Sequence, residues 1–244
     1  MLDEKDTSAE IGWYYDKLTQ KTIKALKENG FDAEYVPDRG QALTRIIEVI
    51  PPRGSIGCGD SVTLHQIGFF DWLKKQKDHD VFNPFFVERS DFADDDIVGF
   101  NSERFILGRK ALTADVFCTG TNAITVDGKL VNIDANGNRV APMIFGPGKV
   151  ILVSGINKIV KDVDEAIKRI KDWAAPLNTK RHVYKHGFNH LKKAPCYVKG
   201  TCQDCRGEVK CLRITTIIDG WHSSAKSPIN YPPLIIIVGE LLGI

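Results

Sequence analysis

Short apolar segments that end in glycine or small polar residues alternate with segments of helical spacing along most of the chain. The clearest of these apolar segments are residues 55–58, 115–118 and 150–153. Apolar residues at helical intervals occupy 10–29 and 41–50, which predicts amphipathic helices there. Strands that alternate with helices pair in parallel through right-handed crossovers. The pattern therefore predicts an α/β fold with a mainly parallel sheet.

The remaining elements follow from the same patterns. Two β-rich runs joined by Asp127-Gly128 predict a hairpin, because this dipeptide favours a tight two-residue turn. Further strands are predicted over 31–36, 81–82, 212–218 and 234–238, the last one returning to the main sheet. Further helices are predicted over 62–75, over 94–114 with a break at Gly99, and over 163–173. Pro176 is expected to end the main body of the domain. A basic linker (180–193) and a polar loop (223–233) follow it.

Charge and hydropathy exclude several classes of partner. The 33 basic and 31 acidic residues nearly cancel, so we expect no broad positive field for nucleic acid. The N-terminal residues lack the basic start and apolar stretch of a secretory signal. Apolar runs such as 234–238 are far shorter than the ~20 residues needed to cross a bilayer. We therefore expect a cytoplasmic protein with no nucleic-acid partner and no membrane insertion.

The first candidate site lies in the turn between the strand at 55–58 and the next helix. Glycines in such a turn let backbone N–H groups approach a ligand, and a helix start favours negative charge. Hydroxyl groups add hydrogen-bond donors, so a phosphate or carboxylate would fit here. Asp60 or Ser61 could equally act as a helix cap alone. The candidate binding residues of this turn are Gly57, Gly59, Ser61 and Thr63.

The second candidate site follows the strand at 115–118. In open α/β sheets, ligands bind at the C-terminal ends of the strands, which favours Thr119, Gly120, Thr121 and Asn122. After the hairpin, Asp134 and Asn138-Arg139 could add a carboxylate and a guanidinium that grips an acidic substrate. The alternative for residues 136–138 is a tight turn.

Catalytic residues are not fixed by the sequence. Asp60, Asp134 and Lys158 are candidates, because isomerase or transferase chemistry needs a carboxylate and a lysine that meet in the pocket. For Lys158, which follows a third strand end, the simpler interpretation is a solvated loop charge.

These motifs resemble the lactate-utilisation (LUD, formerly DUF162) family over most of the chain. The resemblance implies a Rossmann-like sheet of the ribose-5-phosphate isomerase and CoA-transferase-like (NagB/RpiA) group, with ligand loops at its C-terminal edge and a hairpin flap. It also implies a link to lactate or related organic-acid metabolism. The residues that carry it are 57–68, 119–125, 127–128, 131–134, 137–141, 155–160 and 238–243.

Four cysteines near the C-terminus have a spacing typical of a metal site: Cys196, Cys202, Cys205 and Cys211. Four thiolates suit tetrahedral zinc or an iron-sulfur cluster. We favour a 4Fe-4S cluster over zinc because the resemblance points to redox metabolism, and free cysteines without metal are the third alternative. His182, His186 and His190 repeat at helical spacing nearby, which is more typical of a basic solvated face than of a metal site.

Together these features predict one LUD-type α/β domain over 1–244, with residues 194–212 as a four-cysteine metal loop inserted before the terminal strands. The expected function is an enzyme or oxidoreductase subunit of small organic-acid metabolism. The alternative is a zinc-stapled metabolite-binding or regulatory protein without redox activity. The expected partner is a small anionic metabolite, with a redox partner protein and a homo-oligomer left open.

Overall fold

The structure is a computed structural model that describes residues 4–93, 96–207, 210–222 and 231–244. Its strands are β1 (Asp32–Val36), β2 (Gly54–Cys58), β3 (His79–Phe82), β4 (Val116–Gly120), β5 (Ala123–Thr125), β6 (Leu130–Asp134), β7 (Lys149–Gly155), β8 (Ile159–Val160), β9 (Ile214–Ile218) and β10 (Leu234–Val238). Its α-helices are α1 (Ser8–Glu28), α2 (Arg39–Val49), α3 (Val62–Gln66), α4 (Phe69–Leu73), α5 (Ile97–Ala111), α6 (Val140–Ile144), α7 (Val163–Arg169), α8 (Ala175–His186) and α9 (Pro195–Lys199).

Six strands form one sheet in the order β1-β10-β7-β4-β2-β3, and every neighbouring pair is parallel. The predicted return of the last strand is confirmed, because β10 lies between β1 and β7. All five residues of β10 are apolar and buried, as expected for a strand covered on both faces. The predicted Rossmann-like α/β fold with a mainly parallel sheet is therefore confirmed.

The predicted hairpin belongs to a second sheet, with strand order β8-β5-β6-β9. Strands β5 and β6 pair antiparallel, so the hairpin itself is confirmed. Strand β8 extends it in parallel on one side, and β9 pairs antiparallel on the other. Because β5 follows β4 after two residues, the chain passes from one sheet to the other directly at the end of a central strand.

Two of the predicted helices differ in the structure. The helix expected over 62–75 is split into α3 and α4, because Gly68 adopts a left-handed conformation with φ 78° that a continuous helix does not allow. The helix expected over 94–114 begins later, as α5, and its first two predicted residues lie outside the described ones. Gly99 does not break it, since its N–H donates to the capping carboxylate of Asp96 at 2.8 Å.

The prediction that Pro176 closes the body is wrong. Helix α7 continues through a π-helix (Ile170–Ala174) into α8. Pro176 lies in the first turn of α8, where its missing N–H is tolerated. The expected basic linker at 180–193 is therefore helical: its first half belongs to α8, and a 3-10 helix (Asn189–Lys193) follows. Of the expected loop at 223–233, residues 223–230 lie outside the described ones.

Buried side chains cover both faces of the parallel sheet. Ile151 and Ile236 belong to one apolar cluster, whereas Leu152 and Ile235 belong to another, because successive strand residues point to opposite faces. None of the described helices has both the length and the apolar composition to cross a membrane. Since the six strands run in the same direction, their C-terminal ends gather at one edge.

Candidate functional site

The two predicted bends touch each other at the C-terminal edge of the sheet. The backbone N–H of Gly59 donates to the carbonyl of Cys118 at 3.1 Å. A Cβ atom placed on Gly59 would lie 2.6 Å from Thr119 Oγ1, and one on Gly120 would lie 2.6 Å from Ser61 Oγ. Both approaches are too short for a side chain, so glycine is required for the bends to converge.

A cavity of about 1160 Å³ opens over these bends. Helix α5 forms one wall, and α8 with the segment after it forms another. Nine of the candidate residues line it: Asp60, Ser61, Gly120, Thr121, Asn122, Asp134, Asn138, Arg139 and Lys158. The structure thus places the two bends, the turn after β6 and the lysine after β7 around one space.

Four candidate residues lie beneath the cavity and are not among those that line it: Gly57, Gly59, Thr63 and Thr119. Gly57 packs against α5, where an added Cβ would lie 2.9 Å from the Cβ of Ala111. Thr63 Oγ1 accepts a hydrogen bond from Lys158 at 3.3 Å. These residues support the shape of the site from below.

The first bend is held by a cap and an ion pair. Ser61 Oγ accepts a hydrogen bond from the N–H of Leu64 at 3.3 Å, so the capping alternative describes this hydroxyl. Asp60 does not cap the helix, because its carboxylate accepts hydrogen bonds from Arg181 of α8. The ion pair fixes the first bend to the opposite wall of the cavity.

Three consecutive carbonyl groups of the second bend each accept a hydrogen bond from a different cation. Arg139 donates to Gly120 O at 3.2 Å. Lys158 donates to Thr121 O at 3.1 Å. Arg169 donates to Asn122 O at 2.9 Å. The bend between β4 and β5 therefore concentrates positive charge at the floor of the cavity.

Arg139 is buried and largely committed to the protein. Besides Gly120 O, its guanidinium donates to Asn132 Oδ1 at 2.7 Å and to Asn122 Oδ1 at 2.9 Å. The carboxylate of Asp134 lies 4.0 Å from its Nε. Burial lowers the pKa of Arg139, while Asp134 raises it. Arg139 lines the cavity as predicted, but its hydrogen-bonding groups mainly fasten the bend.

The sequence analysis missed Asn132. Its Oδ1 accepts hydrogen bonds from the hydroxyl of Thr121 at 3.1 Å and the N–H of Asn122 at 3.0 Å, in addition to the one from Arg139. In return, Asn122 Oδ1 accepts from the N–H of Ile133 at 3.0 Å. The sequence offered one signal for this role. Asn132 stands between apolar residues of β6, where it is fully buried, and buried polar groups need hydrogen-bond partners.

Lys158 is buried, so its interpretation as a solvated loop charge is wrong. Only 5% of the residue is exposed. Burial, and then the charges of Arg169 and Arg139, lower its pKa to about 7. Among the described residues no carboxylate forms an ion pair with Lys158. The contact with Asp60 or Asp134 that isomerase or transferase chemistry would need is therefore not made.

The predicted solvated face holds for His186 and His190, which are exposed, whereas His182 is half-buried. His182 of α8 stacks on Phe188 with ring centroids 5.4 Å apart, and burial lowers its pKa to about 4. The ring of His186 is 5.3 Å from that of His182. His190 lies in the next helical segment, beyond the left-handed Gly187. His182 and His190 both line the cavity.

The four clustered cysteines are free thiols. Cys196 is buried in α9, and Cys202 is tied to the π-helix because its N–H donates to Lys171 O at 3.0 Å. Burial, and then the neighbouring thiols, raise the pKa of Cys211, so the four share one region. In the described part of the chain, no three His, Cys, Asp or Glu side chains are grouped to hold a metal ion. The metal loop at 194–212 stays a prediction.

Comparison with known families identifies this architecture. The LUD domain family matches residues 19–222 of the chain. The chain belongs to the LUD domain family. The match includes both bends, the hairpin and Lys158, and LUD membership supports a function related to lactate utilisation. Curated proteins give no significant match.

Three solved structures have similar chain paths at low identity. A DUF162 family protein from Deinococcus radiodurans has 13% identity and a TM-score of 0.47, covering 92% of the LUD chain and 97% of its own. The structure of eIF2B delta from Chaetomium thermophilum has 13% identity and a TM-score of 0.35, and the match covers 68% of the LUD chain and 59% of that chain. The structure of ribose 5 phosphate isomerase A from Neisseria gonorrhoeae has 12% identity and a TM-score of 0.30, and the match covers 58% of the LUD chain and 65% of that chain.

We predict that Asn132→Ala destabilises this LUD domain by at least ~2 kcal/mol, because it leaves buried donors without an acceptor. Asn136→Ala, in the exposed turn after β6, is the matched control and should stay within ~0.5 kcal/mol of wild type. Urea unfolding measures both. Equal stability of the two variants would contradict the role assigned to Asn132.

We predict that Lys158 makes stability depend on pH. Its folded pKa of about 7 lies below the ordinary value of 10.5, so between these values the unfolded chain holds a proton that the folded protein lacks. The stability of wild type relative to Lys158→Met should therefore rise with pH above about 7, by up to ~1.4 kcal/mol per pH unit. Urea unfolding of both proteins at several pH values measures this. A difference that does not change with pH would refute the lowered pKa.

Proposed function

We propose that this protein is an enzyme or enzyme subunit of small organic-acid redox metabolism related to lactate utilisation. In this proposal the cavity binds the acid through its carboxylate, and Cys196, Cys202, Cys205 and Cys211 hold a 4Fe-4S cluster. LUD membership over residues 19–222 supports the metabolic assignment. The charge of the cavity supports the class of ligand.

The observation that carries the proposal is the excess of positive charge around the cavity. Asp60 is neutralised by Arg181, and Asp134 lies 4.0 Å from one of the remaining cations. Charges interact more strongly at a partly buried site than in bulk water. The excess of positive charge around the cavity therefore favours an organic anion as its ligand. The two carboxylate side chains Asp60 and Asp134 face four arginines, Arg104, Arg109, Arg139 and Arg181, in addition to the buried amine of Lys158.

Two of these cations have donors to offer a ligand. Arg104 donates from Nε to Pro84 O at 3.1 Å, and the described residues provide no hydrogen-bond partner for its two terminal nitrogens. In its protonated form, Lys158 keeps one of three donors for a ligand, besides those to Thr63 and Thr121. The second bend lines the same cavity, and Asn138 adds an exposed amide there.

The four thiols fit an iron-sulfur cluster by their chemistry, since four thiolates are its usual ligands. Cys211 lines the same cavity as Lys158, which supports a redox group beside the acid. When bound, such a cluster supplies one-electron transfer. Oxidation of a 2-hydroxy acid to a 2-oxo acid releases two electrons and two protons, so the proposal includes a redox partner protein as electron acceptor.

Calorimetric titration with lactate and pyruvate tests the anion site. We expect Arg104→Gln to weaken binding about tenfold or more, because a charged hydrogen bond contributes ~1.5–3 kcal/mol. Arg53→Gln is the matched control, because Arg53 is exposed and precedes β2 at the opposite edge of the sheet. This variant should bind both acids with the affinity of wild type. Failure of wild type to bind either acid would refute the site.

Elemental analysis of protein purified without oxygen tests the cysteine site. We expect about four iron and four sulfide per chain, lost in Cys202→Ser. Cys58→Ala is the control and should retain the metal, because Cys58 is buried in β2. About one zinc per chain would support the non-redox alternative instead. Protein free of both metals would refute the cluster and leave the anion site to be judged by titration.

A further inference from the structure

Lys158 has an environment that differs from that of the other lysines described. It ends the 3-10 helix Ile156–Lys158 after β7 and lines the cavity while only 5% exposed. Its Nζ donates to Thr121 O at 3.1 Å and to Thr63 Oγ1 at 3.3 Å. Both acceptors are uncharged oxygens, so nothing in direct contact compensates a positive charge on this nitrogen.

Neighbouring groups oppose that charge. The carbonyls on either side of Thr121 O are bonded to Arg139 and Arg169, so two guanidinium groups flank the amine. Like charges and burial both favour the neutral amine, in agreement with the pKa of about 7. Lys171 shows the contrast: it pairs with Asp204 at 2.7 Å, and this contact raises its pKa.

A desolvated lysine beside other cations is the usual form of a nucleophilic amine. We propose that Lys158 captures a 2-oxo acid in the cavity as an imine. Nζ attacks the C2 carbonyl and forms the C–N bond. The carbonyl oxygen takes up both amine hydrogens and leaves as water, so no oxidant or reductant is needed.

This inference rests on the proposed function, because the 2-oxo acid is the oxidised partner of a bound 2-hydroxy acid. The arginines that favour a carboxylate would hold either acid in the cavity beside the amine, since both acids carry a carboxylate. Lactate has no ketone group at C2 and should bind without reacting. The proposal therefore expects the protein to distinguish the two acids by covalent capture and not by affinity.

Reductive trapping tests the proposal on the wild-type protein. Pyruvate and sodium cyanoborohydride are added near neutral pH, and peptides are analysed by mass spectrometry. The expected adduct, a carboxyethyl group, should form at Lys158 at least about tenfold more than at Lys161, because a lowered pKa leaves far more neutral amine. Lys161 is the internal control, since its side chain is 86% exposed only three residues away. Lactate should give no adduct.

Variants sharpen the result. Lys158→Arg should lose the selective adduct, and Lys161→Arg should retain it. Labelling of Lys158 at or below the level of Lys161 in wild type would overturn the inference whether or not the variants fold. If pyruvate binds in calorimetry but Lys158 is not trapped, only the imine is refuted. If neither lactate nor pyruvate binds, the proposed function fails together with it.

Discussion

Three hydrogen bonds from basic side chains to the consecutive carbonyls of Gly120, Thr121 and Asn122 hold the structure together at the C-terminal edge of the parallel sheet. A buried carbonyl needs a donor, and a buried cation needs acceptors. The bend satisfies both needs at once. Because β5 follows immediately, the same bonds also set how the second sheet leaves the parallel one. Side chains that add positive charge to the cavity are thus also ones whose hydrogen bonds hold the bend in its folded conformation.

Asn132 extends this arrangement into the second sheet. Its bonds to Thr121 and Asn122, with the return bond from Ile133 to Asn122, tie β6 to the bend. On the other side of the cavity, the ion pair of Asp60 with Arg181 ties the first bend to α8. The cavity is therefore bounded by polar contacts that join separate elements. Its charge and its shape depend on the same side chains.

Local patterns were sufficient for much of this fold. The apolar strands, the hairpin at Asp127-Gly128 and the convergence of two glycine bends follow from short-range spacing and from parallel pairing. Pro176 misled because it lies in the first turn of α8, directly after the π-helix, where its missing N–H is tolerated and the helical segment continues. The burial of Lys158 could not be predicted, because its partners Thr63 and Thr121 are distant in sequence. Asn132 had a local signal that was overlooked, a polar residue among the apolar residues of β6. The spacing of the cysteines predicts a metal, and geometry among the described residues does not yet supply one.

The π-helix at Ile170–Ala174 connects the cavity to the cysteine region. Ile170 and Ala174 line the cavity, and between them Lys171 O accepts the N–H of Cys202 at 3.0 Å. Across the π-helix the N–H of Ala175 donates to Ile170 O. The next residue, Pro176, has no N–H to donate to Lys171 O, so this carbonyl is available to a partner outside the helix. The π-helix also joins α7, which carries Arg169, to α8, which carries Arg181. One continuous helical segment thus carries Arg169, which donates to the second bend, and Arg181, which pairs with Asp60, and between them it binds the backbone of Cys202.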